Sequence, residues 1–154
     1  MENYNKAEIL QMVEEEDVEF IRLQFVDLFG NLKNTAVTAG QLERVLDQGY
    51  VFDGSCVEGF LHDNDMDMFL RPDLDTLAVF PWGPQQGKVA RLICDVYGVD
   101  QKPFKGDPRY VLRQAAEEAK QMGYTFQVGP ECEFFLFHTD DDGRPTTNTH
   151  ETAG

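Results

Sequence analysis

EFIRLQFVDLFGNLKNTAVTAGQLERVLDQG, residues 19–49, changes its hydrophobic period partway along, and that change decides the fold class. From Glu19 to Asp27 the side chains alternate, with Ile21, Leu23 and Phe25 on one face, as a half-buried strand requires. Leu28-Phe29-Gly30-Asn31 reads as a turn, and a second strand runs from Leu32 to Ala39, so the pair is predicted to form a hairpin. After Gly40 the period lengthens. Leu42, Val45 and Leu46 fall at helical spacing, and Gly49 is placed to end the helix.

Toward the amino terminus, residues 3–15 predict an acidic amphipathic helix, with Asn5 able to cap it and Ile9, Leu10, Met12 and Val13 on its apolar side. Toward the carboxyl terminus, DTLAVFPW (75–82) and GKVARLICDVY (87–97) read as two more strands joined by the Gly83-Pro84 turn. Two strands, a helix and two further strands, with a helix in front, make a small mixed sheet carrying helices on one face, an α+β fold. QKPFKGDP, residues 101–108, is a polar linker, and the domain boundary is placed there, giving 1–102 and 103–154. Asp107-Pro108 starts a helix whose face is Val111, Leu112, Ala115, Ala119 and Met122, and Gly123 ends it. A helix and one strand bury too little surface for an independent core, so residues 103–154 are expected to be the truncated start of a larger domain. RPTTNTHETAG, the last eleven residues, shows no hydrophobic periodicity.

A formal charge of −15 and a pI near 4.4 repel nucleic acid and anionic membrane, so neither is expected as a partner. No apolar run reaches the length of a membrane span or a signal-peptide core, which points to a cytoplasmic protein. Cys56, Cys94 and Cys132 are odd in number and form no CxxC pair, so a disulfide framework does not fit. Their equal spacing of 38 (94 − 56 and 132 − 94) marks no repeat, because the flanking residues do not match.

Two stretches carry candidate chemistry. VFDGSCVEGFLHDNDMDMFLRPD, from Val51 to Asp73, is broken by Asp53-Gly54-Ser55 and Gly59 into a loop between short strands. Within it Asp63 to Asp67 imitates the start of an EF-hand. Met68 then stands where glycine is required and Leu74 where the bidentate glutamate belongs, so a solvated acidic turn fits better. In GPECEFFLF, residues 129–137, Glu131 and Glu133 lie two apart in an apolar strand. That puts them on one face about 6–7 Å apart, wide for one ion but suited to two divalent cations that complete their shells elsewhere. The same nine residues also fit a strand with Cys132, Phe134 and Leu136 inside and both glutamates in solvent; the residues leave both readings open.

IRLQFVDLFGNLKN (21–34), FDGSCVEGF (52–60), RPDLDTLAVFPW (71–82), GKVARLICDVY (87–97) and GPECEFFLF together resemble, in this order, the N-terminal portion of a bacterial, class I type glutamine synthetase. The resemblance covers essentially the whole chain. It implies a β-grasp-like N-terminal domain followed by the start, helix plus strand, of the family's catalytic domain. It also implies an ATP-dependent ligase that joins glutamate and ammonium through a γ-glutamyl phosphate, with ATP as substrate and two Mg²⁺ or Mn²⁺ ions per site. A homo-oligomer is implied, a ring-shaped dodecamer with active sites between subunits. Carried over residue by residue, Glu131 and Glu133 match the first two metal-ligating glutamates, one for each ion. Asp53 matches the aspartate that enters the neighbouring subunit's site, binds ammonium and helps remove its proton. Phe60 matches an aromatic position near that neighbour's nucleotide, and a buried staple would look the same.

Cys56 stands where a second serine is usual in the family, Cys132 where a proline commonly separates the glutamates, and His62 where bacterial relatives often carry an arginine tied to feedback control. Core thiols are expected for both cysteines, and surface positions for His138 and His150. Because the resemblance places the other ligands and most nucleotide contacts beyond Gly154, the isolated chain is expected to be inactive. Two rival readings are a ligase of the same fold using another amine and a non-catalytic assembly module.

Overall fold

The computed structural model describes residues 4–60 and 67–149. Its first helix, α1, spans Lys6–Glu15. Asn5 accepts from the Glu8 N–H and Glu8 reaches back to the Asn5 N–H, a reciprocal box that satisfies two of the otherwise unpaired amides at the helix start. Strands β1 (Val18–Val26) and β2 (Leu32–Thr38) form the predicted hairpin, with Ile21 opposite Val37 and Val26 opposite Leu32. Helix α2 (Ala39–Gln48) follows at once and ends at Gly49, whose φ of 78° lies in the left-handed region that glycine enters without strain.

The sheet is completed by β3 (Tyr50–Asp53), β4 (Asp67–Pro72), the two-residue β5 (Ala78–Val79) and β6 (Lys88–Tyr97). Strand order is β2-β1-β6-β4-β3, with β5 on β6. Only β1 and β6 run parallel; the other pairs are antiparallel. β6 is the hinge of this arrangement, since residues 88–93 pair with β1 while 94–97 pair with β4. Its alternate residues Ala90, Leu92, Cys94 and Val96 face the core with Ile21, Leu23 and Leu70, and the apolar sides of α1 (Ile9, Val13) and α2 (Leu42, Val45) close over them. The α+β expectation and the β-grasp-like plan hold.

Several local expectations are corrected. Of the strand predicted over 75–82, only Ala78–Val79 is extended. Leu74–Thr76 forms a 3-10 turn, in which the Thr76 hydroxyl bonds the Asp73 carbonyl and accepts from the Ile93 N–H, so the chain there caps β6 instead of pairing along it. The linker at 101–108 is no loose tether. Phe104 packs against the core, Phe104 N–H donates to the Val96 carbonyl, and Asp107 is 1% exposed. Helix α3 (Pro108–Gln121) starts as predicted, with Asp107 accepting from the Arg109 N–H, yet its apolar residues Val111, Leu112 and Met122 are exposed.

The strand predicted over 129–137 is absent except at its last residue; residues 124–136 are irregular and exposed. A strand exists only where neighbouring backbone accepts its hydrogen bonds, and none among the described residues pairs with this stretch. Instead β7 (Phe137–Thr139) pairs with β8 (Pro145–Thr149) across the Asp140–Gly143 turn, so part of the tail read as irregular is a polar strand. His62, His150 and the acidic run from Asp63 lie outside the described residues, apart from Asp67, which opens β4. Among the described residues no helix is long and apolar enough to cross a membrane.

Candidate functional site

Asp53 closes β3 and caps the 3-10 turn Gly54–Cys56. Its Oδ1 accepts from the Ser55 N–H at 2.9 Å and from the Ser55 hydroxyl at 2.6 Å. The Ser55 hydroxyl, the Ser55 amide and the Cys56 thiol hold the carboxyl below the ordinary carboxylate range against a smaller opposing effect of burial. Asp53 is therefore exposed, ionised and fixed in direction. Register places it opposite Asp67 across the β3–β4 pair, so two carboxylates share a face at this end of the sheet. Two like charges directly opposite repel, which favours a cation between or near them. The sequence placed Asp67 only at the end of a solvated acidic turn, because the register of β4 against β3 is what shows the juxtaposition.

The loop beyond Asp53 is pinned to the core. Val57 is buried, and Phe60 is 2% exposed between Phe25 (ring centroids 6.3 Å apart) and Phe104 (5.0 Å, edge to face). Gly59 adopts φ +85° with Leu28 so close that an added Cβ would sit 2.6 Å from the Leu28 Cβ. Phe60 is thus held among core rings, in the manner of a buried staple.

Glu131 and Glu133 lie in the irregular, exposed segment, with Cys132 exposed between them. Neither glutamate enters an ion pair, and no three His, Cys, Asp or Glu side chains gather to hold a metal, among the described residues. Asp53 and the two glutamates stand on separate elements, the end of β3 and the irregular segment before β7. Cys56 and Cys132, both expected to be core thiols, are exposed; the buried cysteine is Cys94.

Three buried or paired carboxylates that sequence reasoning did not single out do structural work. Asp27 closes the β1–β2 turn. Its burial raises its proton affinity, but the Asn31 side chain, the Asn31 and Phe29 amides and Lys33 outweigh that and hold it ionised. Asp73 and Asp95 clamp the start of α3 through Arg109 and Arg113. The signal available in the sequence was the Arg109–Arg113 spacing of four, which puts both guanidinium groups on one side of the helix.

A family model described as "Glutamine synthetase, beta-Grasp domain" matches residues 17–99, and one described as "Glutamine synthetase, catalytic domain" matches residues 105–153. A glutamine synthetase of Clostridium saccharobutylicum is 59% identical over all 154 residues, which cover 35% of that relative. One of Staphylococcus aureus (strain Mu50 / ATCC 700699) is 50% identical over 152 residues, 98% of this chain and 34% of its own length. The chain thus spans about a third of the length of the curated relatives it matches. Among solved structures, a cryoEM structure of Plasmodium falciparum glutamine synthetase superposes with TM-score 0.70 over 80% of this chain and 24% of its own, at 20% identity, a likeness of fold alone. A structure described as a GmaS/ADP complex has TM-score 0.67 and 25% identity, covering 74% of this chain and 26% of its own.

Proposed function

The chain belongs to the glutamine synthetase family, and on that premise we propose that it supplies the N-terminal part of a glutamate–ammonia ligase, which uses ATP to make glutamine through a γ-glutamyl phosphate. The observation that carries this reading is the tandem match of the two family domains, in order, with relatives named glutamine synthetase at 50–59% identity over nearly the whole chain. We place the boundary between the two domains at residues 102 and 103.

Asp53 is proposed as the ammonium residue, presented to a neighbouring subunit in a homo-oligomer, with a dodecamer as the full assembly. Its exposure and its Ser55 bonds keep a negative charge pointed outward, which favours a small cation. A carboxyl held below the ordinary range is a weak proton acceptor, so the geometry weights Asp53 toward holding ammonium more than toward deprotonating it.

Glu131 and Glu133 are proposed as metal ligands. Carboxylate oxygens are hard donors that suit Mg²⁺ or Mn²⁺, and these two are not spent on a cation of the chain. The fit is that of one wall of a site, because no third donor stands with them among the described residues. Bound there, two divalent ions would neutralise phosphoryl oxygens during transfer from ATP. A solved relative of this fold was obtained with ADP, in keeping with a nucleotide substrate. Phe60 enters this scheme by holding the Asp53 loop to the core.

Taken by itself, the chain offers surface to be covered more than a formed site. Val111, Leu112, Met122, Tyr124, Phe126, Val128 and the run Phe134–Phe137 are all exposed. That favours, for the isolated chain, the second reading of an assembly element. The test is glutamine formation by two purified proteins: this 154-residue chain, and a chimera joining it to the remainder of the Clostridium saccharobutylicum relative. The chimera is expected to turn over with ATP, glutamate and ammonium while the chain alone does not. Steady turnover by the chain alone, or a folded but inactive chimera, would contradict the proposal.

A further inference from the structure

The strap between β6 and α3 touches the Asp53 loop from below. Its backbone is fixed at three places. Tyr97 bridges to Pro103, Phe104 N–H donates to the Val96 carbonyl at 2.9 Å, and the Val96 N–H donates to Asp107 Oδ2 at 3.0 Å. Gly106 lies close against the Phe104 ring, where an added Cβ would meet Cε1 and Cζ at 2.6 Å. With its backbone fixed and its ring against Gly106, Phe104 meets Phe60 edge to face at 5.0 Å. Phe60 is the far anchor of the loop that begins at Asp53, and the near anchor is the pairing of β3 with β4. Between these anchors the loop buries Gly54 and Val57.

We propose that Phe104 is a positioning residue for Asp53: through its edge-to-face contact with Phe60 it keeps the 53–60 loop closed and so holds the carboxylate in its outward, Ser55-bonded orientation. The proposal deepens the reading of Asp53 as the ammonium residue and rests on it for its functional meaning. It also gives the strap a role beyond connection.

The contact is tested on this chain without reference to activity. NMR follows the Asp53 carboxyl titration and the amide exchange of Ser55 in the parent and in Phe104→Ala, Phe104→Leu and Phe104→Tyr. In Phe104→Ala the Asp53 midpoint is expected to move up toward the ordinary carboxylate range, and Ser55 exchange to quicken about two- to tenfold, the range an aromatic pair supports. Exchange at Ile21 and Leu23 in β1 stays at parental rates, and Phe104→Tyr restores both readouts. Phe104→Leu, which keeps bulk but lacks a ring, shows the same direction of change and serves if the alanine variant does not fold. Parental values for Asp53 and Ser55 in the folded Ala or Leu variant would overturn the proposal, as would acceleration at β1 equal to that at Ser55. The ammonium role of Asp53 fails separately, through turnover of an Asp53 variant, so the two failures are distinguishable.

Discussion

Replacing Asp107 by alanine removes two bonds from one buried side chain. Asp107 is 1% exposed; Oδ1 accepts from the Arg109 N–H at the start of α3, and Oδ2 accepts from the Val96 N–H of β6, both at 3.0 Å. Loss of the cap costs about 1 kcal/mol. Loss of the second bond leaves the amide of fully buried Val96 without a partner, at about 1–3 kcal/mol. The sum is about 2–4 kcal/mol, far above the ordinary range for an exposed substitution. Asp107→Asn keeps an oxygen acceptor and is expected to cost about 1 kcal/mol. The two variants also differ in pH response. Burial raises the Asp107 carboxyl pKa, against the opposing Val96 and Arg109 amides, so the folded state binds this proton more tightly than the unfolded chain does. The associated stability is fully present below the ordinary carboxylate pKa and is lost as pH rises through the raised folded value; Asp107→Asn removes that slope. Urea unfolding followed by far-UV circular dichroism, across the acid range, measures both effects. An alanine variant within about 0.5 kcal/mol of the parent would refute the reasoning, because surface substitutions cost no more than that.

Three further outcomes follow from the same coordinates. In the native chain a thiol reagent is expected to modify Cys56 and Cys132 but to reach Cys94 only on unfolding, since burial pushes the Cys94 thiol well up; fast reaction of all three thiols would contradict the packing of β6. Arg109→Ala should cost about 1–3 kcal/mol, because it removes the more buried of the two cations that pair Asp73 and Asp95, Arg109 being 24% exposed, whereas Arg113→Ala, at 52% exposed, should cost about 0–1 kcal/mol; equal losses in urea titrations would argue against a clamp centred on Arg109. Gly59→Ala forces a side chain into φ +85° and against Leu28, so a loss of about 1–3 kcal/mol is expected, and a neutral thermal melt would place the loop elsewhere.

The elements that could be read from the sequence are those whose instructions are local. The Asn5 capping box, the alternation of β1, the helical spacing of α2 ending at Gly49 and the Asp107-Pro108 start of α3 each lie within a few residues of what they specify. What was misread depends on partners distant in the chain. Residues 75–82 carry strand-like composition, but the Ile93 amide takes the Thr76 hydroxyl and leaves only two residues to pair. β8 is built of threonine and asparagine with no apolar alternation, so its pairing with β7 leaves no mark in hydrophobicity. GPECEFFLF has the composition of a buried strand, but before Phe137 it has no neighbour to pair with among the described residues, which is why its glutamates stand in irregular chain. The 101–108 stretch looks polar by content, yet Phe104 and Asp107 face inward; composition counts residue types and carries no direction. At the candidate site, Asp53 was singled out through the resemblance of FDGSCVEGF, since its Asp-Gly-Ser turn by itself reads as an ordinary turn, while the place of Asp67 opposite it and the contacts of Phe104 and Leu28 became visible only through register and packing.

Steady-state glutamine synthesis at varied ammonium, by the chimera carrying Asp53→Ala, measures most directly whether this sequence supplies an ammonium-site carboxylate. A fall in kcat/KM for ammonium of about a hundredfold or more is the expected result, with KM for ATP unchanged. An unchanged kcat/KM for ammonium in the folded, oligomeric variant would contradict the account and leave the chain with the assembly role alone.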